Sequence, residues 1–271
     1  MFDFVKNLIP SKKSHSHYNL NYDFESINLK TKKYEHILIF TGGMSPDPEL
    51  CRDFFSNVIK PDFIIAADSG LETCDSFIKN FDLKDFAPDV ILGDMDSIRN
   101  KALVKKYTNS KSKMCHFVEF ACDKDFTDSE LALILARKIK TKDTKITLIG
   151  GSGGRLDHLV ALFELFSTDI RPDFWLTENQ AAVFLADGCT VKFHTKKQHD
   201  LISVLRTTIS NARGQVSSKG LEWESSLFRK TGVPSLSNRM SEEYFSKGLP
   251  VELTANGADF VVVGPLDINL D

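Results

Sequence analysis

Pairs of aspartates separated by one residue stand where short apolar runs of the chain end. Asp94 ends the apolar run at 89–94, and Asp96 follows two positions later. Side chains two positions apart on an extended backbone point the same way. Two carboxylates placed in this way suit a hard cation such as Mg²⁺, which takes oxygen ligands from a few carboxylates and from substrate phosphates. A solvated turn is the alternative interpretation, because Asp-x-Asp-Ser is also common turn chemistry.

A second acidic group crowds a predicted turn between a strand and a helix: Asp123, Lys124, Asp125, Thr127 and Asp128. Either Thr127 or Asp128 is able to cap the helix that follows. The mutual repulsion of so many carboxylates favours a bound cation or ligand instead, and Lys124 offers a positive charge suited to a phosphate.

A glycine-rich segment at 150–154 precedes another predicted helix. Bare backbone N–H groups at a helix N-terminus cradle anions, and the guanidinium of Arg155 matches phosphate geometry. The segment fits neither the Walker nor the dinucleotide-binding pattern, and glycine clusters also form plain tight turns. Asp157 has the alternative role of orienting Arg155, and His158 that of a core or capping residue.

The elements that position these groups follow from the hydrophobic pattern. Between residue 36 and residue 178, apolar strand runs alternate with helical patterns, which is typical of a parallel sheet covered on both faces. Strands are predicted at 36–41, 63–68, 89–94, 116–120, 145–150 and 174–177, and helices at 48–59, 71–80, 99–107, 127–139 and 156–166. Ligands bind at the carboxyl ends of such strands, where Asp68, Ser69 and Gly70 also lie.

After about residue 180 the helical patterns stop, and short strands with turn residues between them predict an all-β sandwich. We therefore expect an α/β fold: an N-terminal open parallel-sheet α/β domain at 35–178, followed by a C-terminal all-β sandwich at 179–271. Residues 1–34 are polar and form a predicted N-terminal extension.

The composition excludes several classes of protein. The 271 residues include 34 Lys and Arg against 37 Asp and Glu. This balance lacks the excess of positive charge that is typical of nucleic-acid-binding proteins. No apolar run approaches the length that crosses a bilayer, so no membrane contact is expected. The five cysteines are odd in number and lack Cys-x-x-Cys spacing, which favours a reducing, cytoplasmic location over a disulfide framework. Acidic metal ligands and a phosphate cradle together predict nucleotide phosphoryl chemistry with Mg²⁺.

In chain order, four of these segments resemble the motifs of the thiamin pyrophosphokinase family: 67–70, 88–97, 123–133 and 150–158. Two later segments fit as well, since 220–223 resembles its Gly-Leu-x-Trp and 235–238 its Ser-x-Ser-Asn. The resemblance covers about 36–263. It implies Mg²⁺-dependent transfer of diphosphate from ATP to the hydroxyl of thiamine, which gives thiamine diphosphate and AMP. It also implies a homodimer in which each site is shared between subunits.

The resemblance assigns roles to residues of this chain. The catalytic group would be Asp68, Asp94, Asp96, Asp128 and Arg155, with Mg²⁺ held by Asp94, Asp96 and Asp128. ATP would be bound by Ser69, Gly70, Gly93, Lys124, Thr127, Gly151, Gly153, Gly154, Arg155 and Asp157. Thiamine would face Asp96, Trp223, Ser237 and Asn238. Without the resemblance, Trp223 reads as a core residue of the all-β half.

Two departures from the family pattern bear on the substrate side. Leu162 stands where the family often has an asparagine, and the sequence at 224–234 differs from the one usual in the family. One alternative is a related diphosphokinase that acts on a pterin alcohol, with the same donor site. The other is a non-catalytic nucleotide sensor, against which the full set of carboxylates argues. A scaffold protein would not need these carboxylates in one crevice.

Overall fold

The computed structural model describes residue 24 and residues 33–52, 54, 62–81, 87–109, 114–207, 214–224 and 235–270. The strands are β1 (His36–Phe40), β2 (Phe63–Ala67), β3 (Val90–Gly93), β4 (His116–Glu119), β5 (Lys145–Ile149), β6 (Phe174–Leu176), β7 (Gln180–Leu185), β8 (Thr190–His194), β9 (Ile202–Arg206), β10 (Gln215–Lys219), β11 (Ser235–Asn238), β12 (Val251–Asn256), β13 (Phe260–Pro265) and β14 (Asn269–Leu270). The α-helices are α1 (Gly70–Asn80), α2 (Lys101–Thr108), α3 (Asp128–Ile139), α4 (Leu156–Glu164) and α5 (Glu242–Lys247), with 3-10 turns at Pro48–Cys51 and Leu165–Ser167.

The first six strands form the predicted parallel sheet, in the order β6-β5-β1-β2-β3-β4. Every residue of β1 and β2 is buried, because helices cover both faces of the centre of the sheet. The edge strand β4 alternates between half-buried and exposed residues. Parallel pairing brings the carboxyl ends of these strands to one edge, where the motif residues follow.

Two of the predicted helices begin at recognisable caps. The Thr127 side chain accepts a hydrogen bond from Glu130 N–H, and the Glu130 carboxylate accepts one from Thr127 N–H, so a complete capping box starts α3. Asp47 caps the turn at Pro48–Cys51. Most of the remainder of the helix predicted over 48–59 lies outside the described residues, as does most of the extension at 1–34.

The C-terminal strands pair antiparallel in two sheets. Strands β7, β13, β9 and β11 continue the large sheet beyond β6, and β10, β12, β8 and β14 form a four-stranded sheet. Apolar side chains of both sheets, such as Val204 and Phe260 from one and Phe193 and Leu253 from the other, share one buried core. The predicted order of a parallel α/β part followed by a β-sandwich is therefore confirmed.

Two details differ from the sequence interpretation. The parallel and antiparallel parts share one ten-stranded sheet, joined where β6 pairs with β7, instead of forming separate layers. The expectation that helices stop after residue 180 was wrong for α5, which Ser241 caps and which ends at Gly248 with φ of 62°. A boundary near residue 178 stays a prediction.

Candidate active site

A cleft of about 740 Å³ opens at the carboxyl ends of β1 to β5. Its walls are the loops that follow these strands, which is where an open α/β sheet places its ligands. The predicted residues that line it are Asp68, Ser69, Asp94, Asp96, Lys124, Thr127, Asp128, Gly151, Gly153, Gly154 and Arg155. Gly70, Gly93 and Asp157 do not line the cleft, although each adjoins a residue that does.

Three carboxylates from three different loops converge inside this cleft. Ligand oxygens of Asp68, Asp94 and Asp128 all lie within 4.8 Å of one another. Asp68 is 8% exposed, and its Oδ1 is buried and accepts no hydrogen bond. A buried carboxylate oxygen without a partner carries a desolvation cost, which a cation at this position would offset.

Gly93 makes the approach of these carboxylates possible. Its φ is +137°, and a Cβ at this position would lie 3.2 Å from Asp68 Cβ and 3.2 Å from Asp128 Cγ. Asp68 itself has a left-handed backbone with φ of 46°, which aspartate tolerates better than most residues. The backbone is therefore shaped around the carboxylate cluster.

The Lys124 ammonium neutralises part of this cluster. Its Nζ lies 2.9 Å from Asp94 Oδ2 and 3.2 Å from Asp128 Oδ1, with the lysine side chain only 8% exposed. The hydrogen bond from Lys124 lowers the pKa of Asp94, whereas burial raises the pKa of Asp128 despite the same ammonium. Burial opposes the charged form of Lys124, but its two carboxylate partners raise its pKa overall.

Asp96 lies apart from the buried part of the cluster. It is exposed, and its Oδ1 accepts a hydrogen bond of 2.7 Å from the Ser97 hydroxyl. Its ligand atom groups within 4.8 Å with those of Asp94 and Cys122. Among the described residues, the predicted trio of Asp94, Asp96 and Asp128 is thus divided between two groups that share Asp94.

The glycine-rich loop forms the opposite wall of the cleft. Gly150, Gly151, Gly153 and Gly154 all have positive φ, and a Cβ on Gly150 would lie 2.5 Å from the Thr41 carbonyl oxygen. Arg155 follows as the residue before α4, and its guanidinium donates two hydrogen bonds to the Asp157 carboxylate. These bonds hold the pKa of Asp157 below its usual range. The orienting role of Asp157 is therefore present in the geometry.

The three residues assigned to thiamine in the β-sandwich do not line this cleft. Trp223 is 46% exposed, so it is no core residue, and the guanidinium carbon of Arg239 lies 5.0 Å from its ring centroid. Ser237 is exposed with φ of 57°. Asn238 is buried at 1% exposure, with its amide hydrogen-bonded to the backbone of Trp223.

The sequence interpretation missed several residues of the cleft. Thr41, Gly42 and Gly43 follow β1 and line it, and the Thr41 hydroxyl lies 2.5 Å from that of Ser129. The rule that ligands sit beyond strand ends was available for β1 as well, but these residues carry no charge to attract attention. Cys122 also contributes to the lining, and so does Leu162, which the sequence interpretation named only as a departure from the family pattern.

The donors in the buried cluster are all oxygen atoms, and two of them, Asp68 Oδ1 and Asp128 Oδ1, lack a hydrogen-bond partner. This set fits a hard divalent cation such as Mg²⁺. The adjacent glycine loop, Lys124 and Arg155 suit a polyphosphate. No helix among the described residues is long and apolar enough to span a membrane.

Comparison with known proteins points to one family. Residues 56–172 match the sequence model of the thiamin pyrophosphokinase catalytic domain. Thiamine pyrophosphokinase 1 of Arabidopsis thaliana is 28% identical over 177 residues, which cover 58% of this chain and 60% of that protein. The chain thus matches less than two thirds of the length of this relative.

Solved structures of low sequence identity share the fold. Thiamin pyrophosphokinase from Candida albicans superposes with a TM-score of 0.59 at 18% identity, over 85% of this chain and 88% of that one. The yeast enzyme gives 0.56 at 14% identity, over 89% of each chain. The resemblance indicated by the four motifs is therefore confirmed, and residues 56–172, which contain all four, are the part of this chain that matches the thiamin pyrophosphokinase catalytic-domain model.

Proposed function

We propose that this chain is a thiamine diphosphokinase, which transfers the diphosphate of ATP to the hydroxyl of thiamine and releases AMP. The observation that carries the proposal is the convergence of Asp68, Asp94 and Asp128 beside the glycine-rich loop, in one cleft of the matched domain. Such an arrangement would hold a divalent cation against a polyphosphate, and neutralising the phosphate charge is most of what phosphoryl-transfer catalysis requires.

The residues around the cleft divide the work between them. Phosphate oxygens are assigned to the backbone N–H groups of Gly153 and Gly154 and to the N-terminus of α4. The N–H groups of Gly150, Gly151 and Ser152 already donate to backbone carbonyls. Arg155 and Lys124 supply positive charge to the bridging and leaving oxygens as AMP departs. Arg155 exchanges its Asp157 partner for phosphate, because its side chain is 72% exposed and free to turn.

Mg²⁺ would be held by Asp68, Asp94 and Asp128, with Asp96 at the outer side, and would supply neutralisation of phosphate charge. The sequence motifs alone favour Asp94, Asp96 and Asp128, and the buried, unpartnered Oδ1 of Asp68 is the reason to add Asp68. Asp96 is also the candidate acceptor of the hydroxyl proton, because Lys124 engages Asp94 and Asp128 while Asp96 is exposed in the cleft.

The acceptor side of the site is proposed to come from a second copy of the chain. Trp223 and Ser237 lie outside the cleft, and the exposed indole suits a flat cationic ring through stacking and cation–π attraction. An apolar groove of about 330 Å³, lined by Val160 and Phe163 of α4 and by Leu205, is the surface that we propose a second copy covers. A homodimer would then complete each site.

Turnover with purified protein tests the proposal. Thiamine, ATP and Mg²⁺ should yield AMP and thiamine diphosphate in equal amounts, without ADP. Hydroxymethylpterin in place of thiamine tests the related diphosphokinase, and ATP binding without any AMP release would favour the nucleotide sensor. Absence of AMP formation with thiamine refutes the proposed function. The cytoplasmic location stays a proposal that rests on five free cysteines.

A further inference from the structure

Trp223 belongs to a tight turn, residues 220–224, which we call the Trp223 turn. Gly220 begins it, and its carbonyl accepts a hydrogen bond of 2.8 Å from Ser241 N–H. Glu224 closes it, because its Oε1 accepts a hydrogen bond of 2.5 Å from Gly220 N–H. The turn is therefore fixed at its first residue from two directions.

Asn238 fixes the same turn at Trp223 itself. The Asn238 Oδ1 accepts from Trp223 N–H at 3.3 Å, and its Nδ2 donates to the Trp223 carbonyl at 3.3 Å. The same Oδ1 accepts from Arg239 N–H at 2.9 Å. With 1% exposure and both ends of the amide directed at backbone, Asn238 offers no surface to a ligand.

The indole ring is presented while its backbone is held. Trp223 is 46% exposed although the guanidinium carbon of Arg239 lies 5.0 Å from the ring centroid. An exposed aromatic ring that is oriented in advance costs less conformational entropy when a flat ligand stacks on it. The buried amide is thus placed to influence binding that occurs at the ring.

We propose that Asn238 is a positioning residue for the acceptor site: it orients Trp223 through the paired backbone bonds and does not touch the substrate. This proposal rests on the proposed function, in which the indole stacks on thiamine. It departs from the expectation that Asn238 faces thiamine directly. The Asn238 amide therefore acts on thiamine binding only indirectly, through Trp223.

Asn238→Asp tests the proposal with little change of volume. The new carboxylate keeps the oxygen that accepts from Trp223 N–H but places a second oxygen against the Trp223 carbonyl. The hydrogen bond from Asn238 Nδ2 to this carbonyl is then lost, and the two oxygens repel each other. We expect KM for thiamine to rise about tenfold, which corresponds to the loss of a hydrogen bond or two. The kcat and KM for ATP should stay near their original values. Asn256→Asp, at an exposed asparagine in the same half, is the control and should leave all three unchanged.

A double-mutant cycle separates positioning from contact. In a Trp223→Ala background, Asn238→Asp should raise KM for thiamine no further, because the ring through which it acts is gone. If it raises KM by the same factor as in the intact chain, Asn238 contacts the substrate and the proposal is overturned. An unchanged KM in the single variant overturns it as well.

Tryptophan fluorescence provides a reading that needs no turnover. The chain has two tryptophans, so subtracting the Trp223→Phe spectrum isolates Trp223. Asn238→Asp should shift this emission to the red and increase its quenching by acrylamide, and an unchanged signal contradicts the orienting role. If the signal changes but thiamine is never turned over, the positioning role stands and the proposed function fails.

Glu224→Ala keeps the test decisive if Asn238→Asp does not fold. Glu224 is exposed, and its removal releases the Trp223 turn from the opposite end. The same red shift and a smaller rise in KM for thiamine are expected, again without effect in the Trp223→Ala background. A Glu224→Ala variant with unaltered emission and KM would show that the turn does not control the ring, and would overturn the proposal.

Discussion

Asp68 and Asp128 both approach Gly93 on the side where a side chain at position 93 would begin. The Asp68 Cβ and the Asp128 Cγ each lie 3.2 Å from the position that a Cβ on Gly93 would take. The glycine therefore sets the spacing of two carboxylates that come from different loops. Its contribution is to the geometry of the cleft more than to the stability of the sheet.

Replacing Gly93 by alanine should disable the site. The methyl group would push the two carboxylates apart, and the φ of +137° adds backbone strain of about 1 kcal/mol or more. We expect AMP formation to fall by a factor of ~100 or more, since small displacements of catalytic groups cost that much.

Gly188→Ala is the matched control for Gly93→Ala. Gly188 also has a positive φ, +76°, but nothing lies within 4 Å of its missing Cβ. It should lower the urea midpoint while activity at 25 °C persists. Equal loss of activity in both variants would mean that strain, not carboxylate spacing, is responsible.

Lys124→Met should change metal and nucleotide binding in opposite directions. Removing the ammonium leaves three carboxylates without their neutralising partner, so Mn²⁺ should bind more tightly to the nucleotide-free protein. ATP should bind more weakly, with KM raised about tenfold, because a charge-assisted phosphate contact is lost. Calorimetry and initial rates measure the two effects.

The exposed Lys101 offers the control for this experiment, and Lys101→Met should alter neither quantity. If Lys124→Met weakens Mn²⁺ binding, the lysine supports the cation site instead of competing for it, and the assignment of the three carboxylates has to be revised.

Asp75 gives a prediction about stability at low pH. It is buried on α1, with Lys79 at 2.5 Å, Lys106 at 2.6 Å and the Tyr107 hydroxyl at 2.7 Å. Burial alone would raise its pKa, but the bonds from these partners lower it to about 2. An unfolded aspartate has a pKa of about 3.9, so the group contributes ~2 kcal/mol of stability above about pH 5. This contribution is lost as the pH falls through 4 towards 2.

Asp75→Asn should remove that pH dependence. The variant should be less stable than the parent at pH 7, and the two should converge only as the pH falls below about 2, as measured by urea unfolding. Asp143→Asn, at an exposed site, should follow the parent at every pH. A constant difference between parent and Asp75→Asn across the range would exclude the ionised partnership as its source.

Mixing variants tests whether the site is shared between subunits. Asp94→Asn should lack turnover, and Trp223→Ala should lack it at low thiamine concentration. An equimolar mixture should regain up to about a quarter of the original activity, because half of randomly formed dimers are mixed and each holds one intact site. Asp94→Asn mixed with Asp128→Asn should regain nothing. No recovery in the first mixture contradicts the shared site.

Much of this fold is visible in the sequence because local and global signals agree. Thr127 and Glu130 predict the start of a helix, and continuous apolar runs predict the buried strands. The grouping of Asp68, Asp94 and Asp128 follows from the rule on strand ends. The burial of Asp68 and its unpartnered oxygen do not, because they depend on how tightly neighbouring loops approach.

Features that depend on contacts between distant parts of the chain could not be predicted from the sequence. A turn in which Gln180 accepts from Thr177 N–H joins β6 to β7, and it reads equally well as a linker between domains. Asn238 reads as a polar ligand contact because its burial depends on the turn at 220–224, far away in sequence. Helix α5 carried a Ser cap and a closing glycine, but six residues give too few periods to be recognised.

The pairing of β6 with β7 restricts how this molecule can move. Main-chain hydrogen bonds join neighbouring strands of one sheet from β4 to β11, so the parallel and antiparallel parts of this sheet cannot rotate against each other without breaking the pairing of β6 with β7. Under the proposed function, the admission of substrates and the release of AMP would then depend on the loops that rim the cleft and on the contact between the two proposed copies.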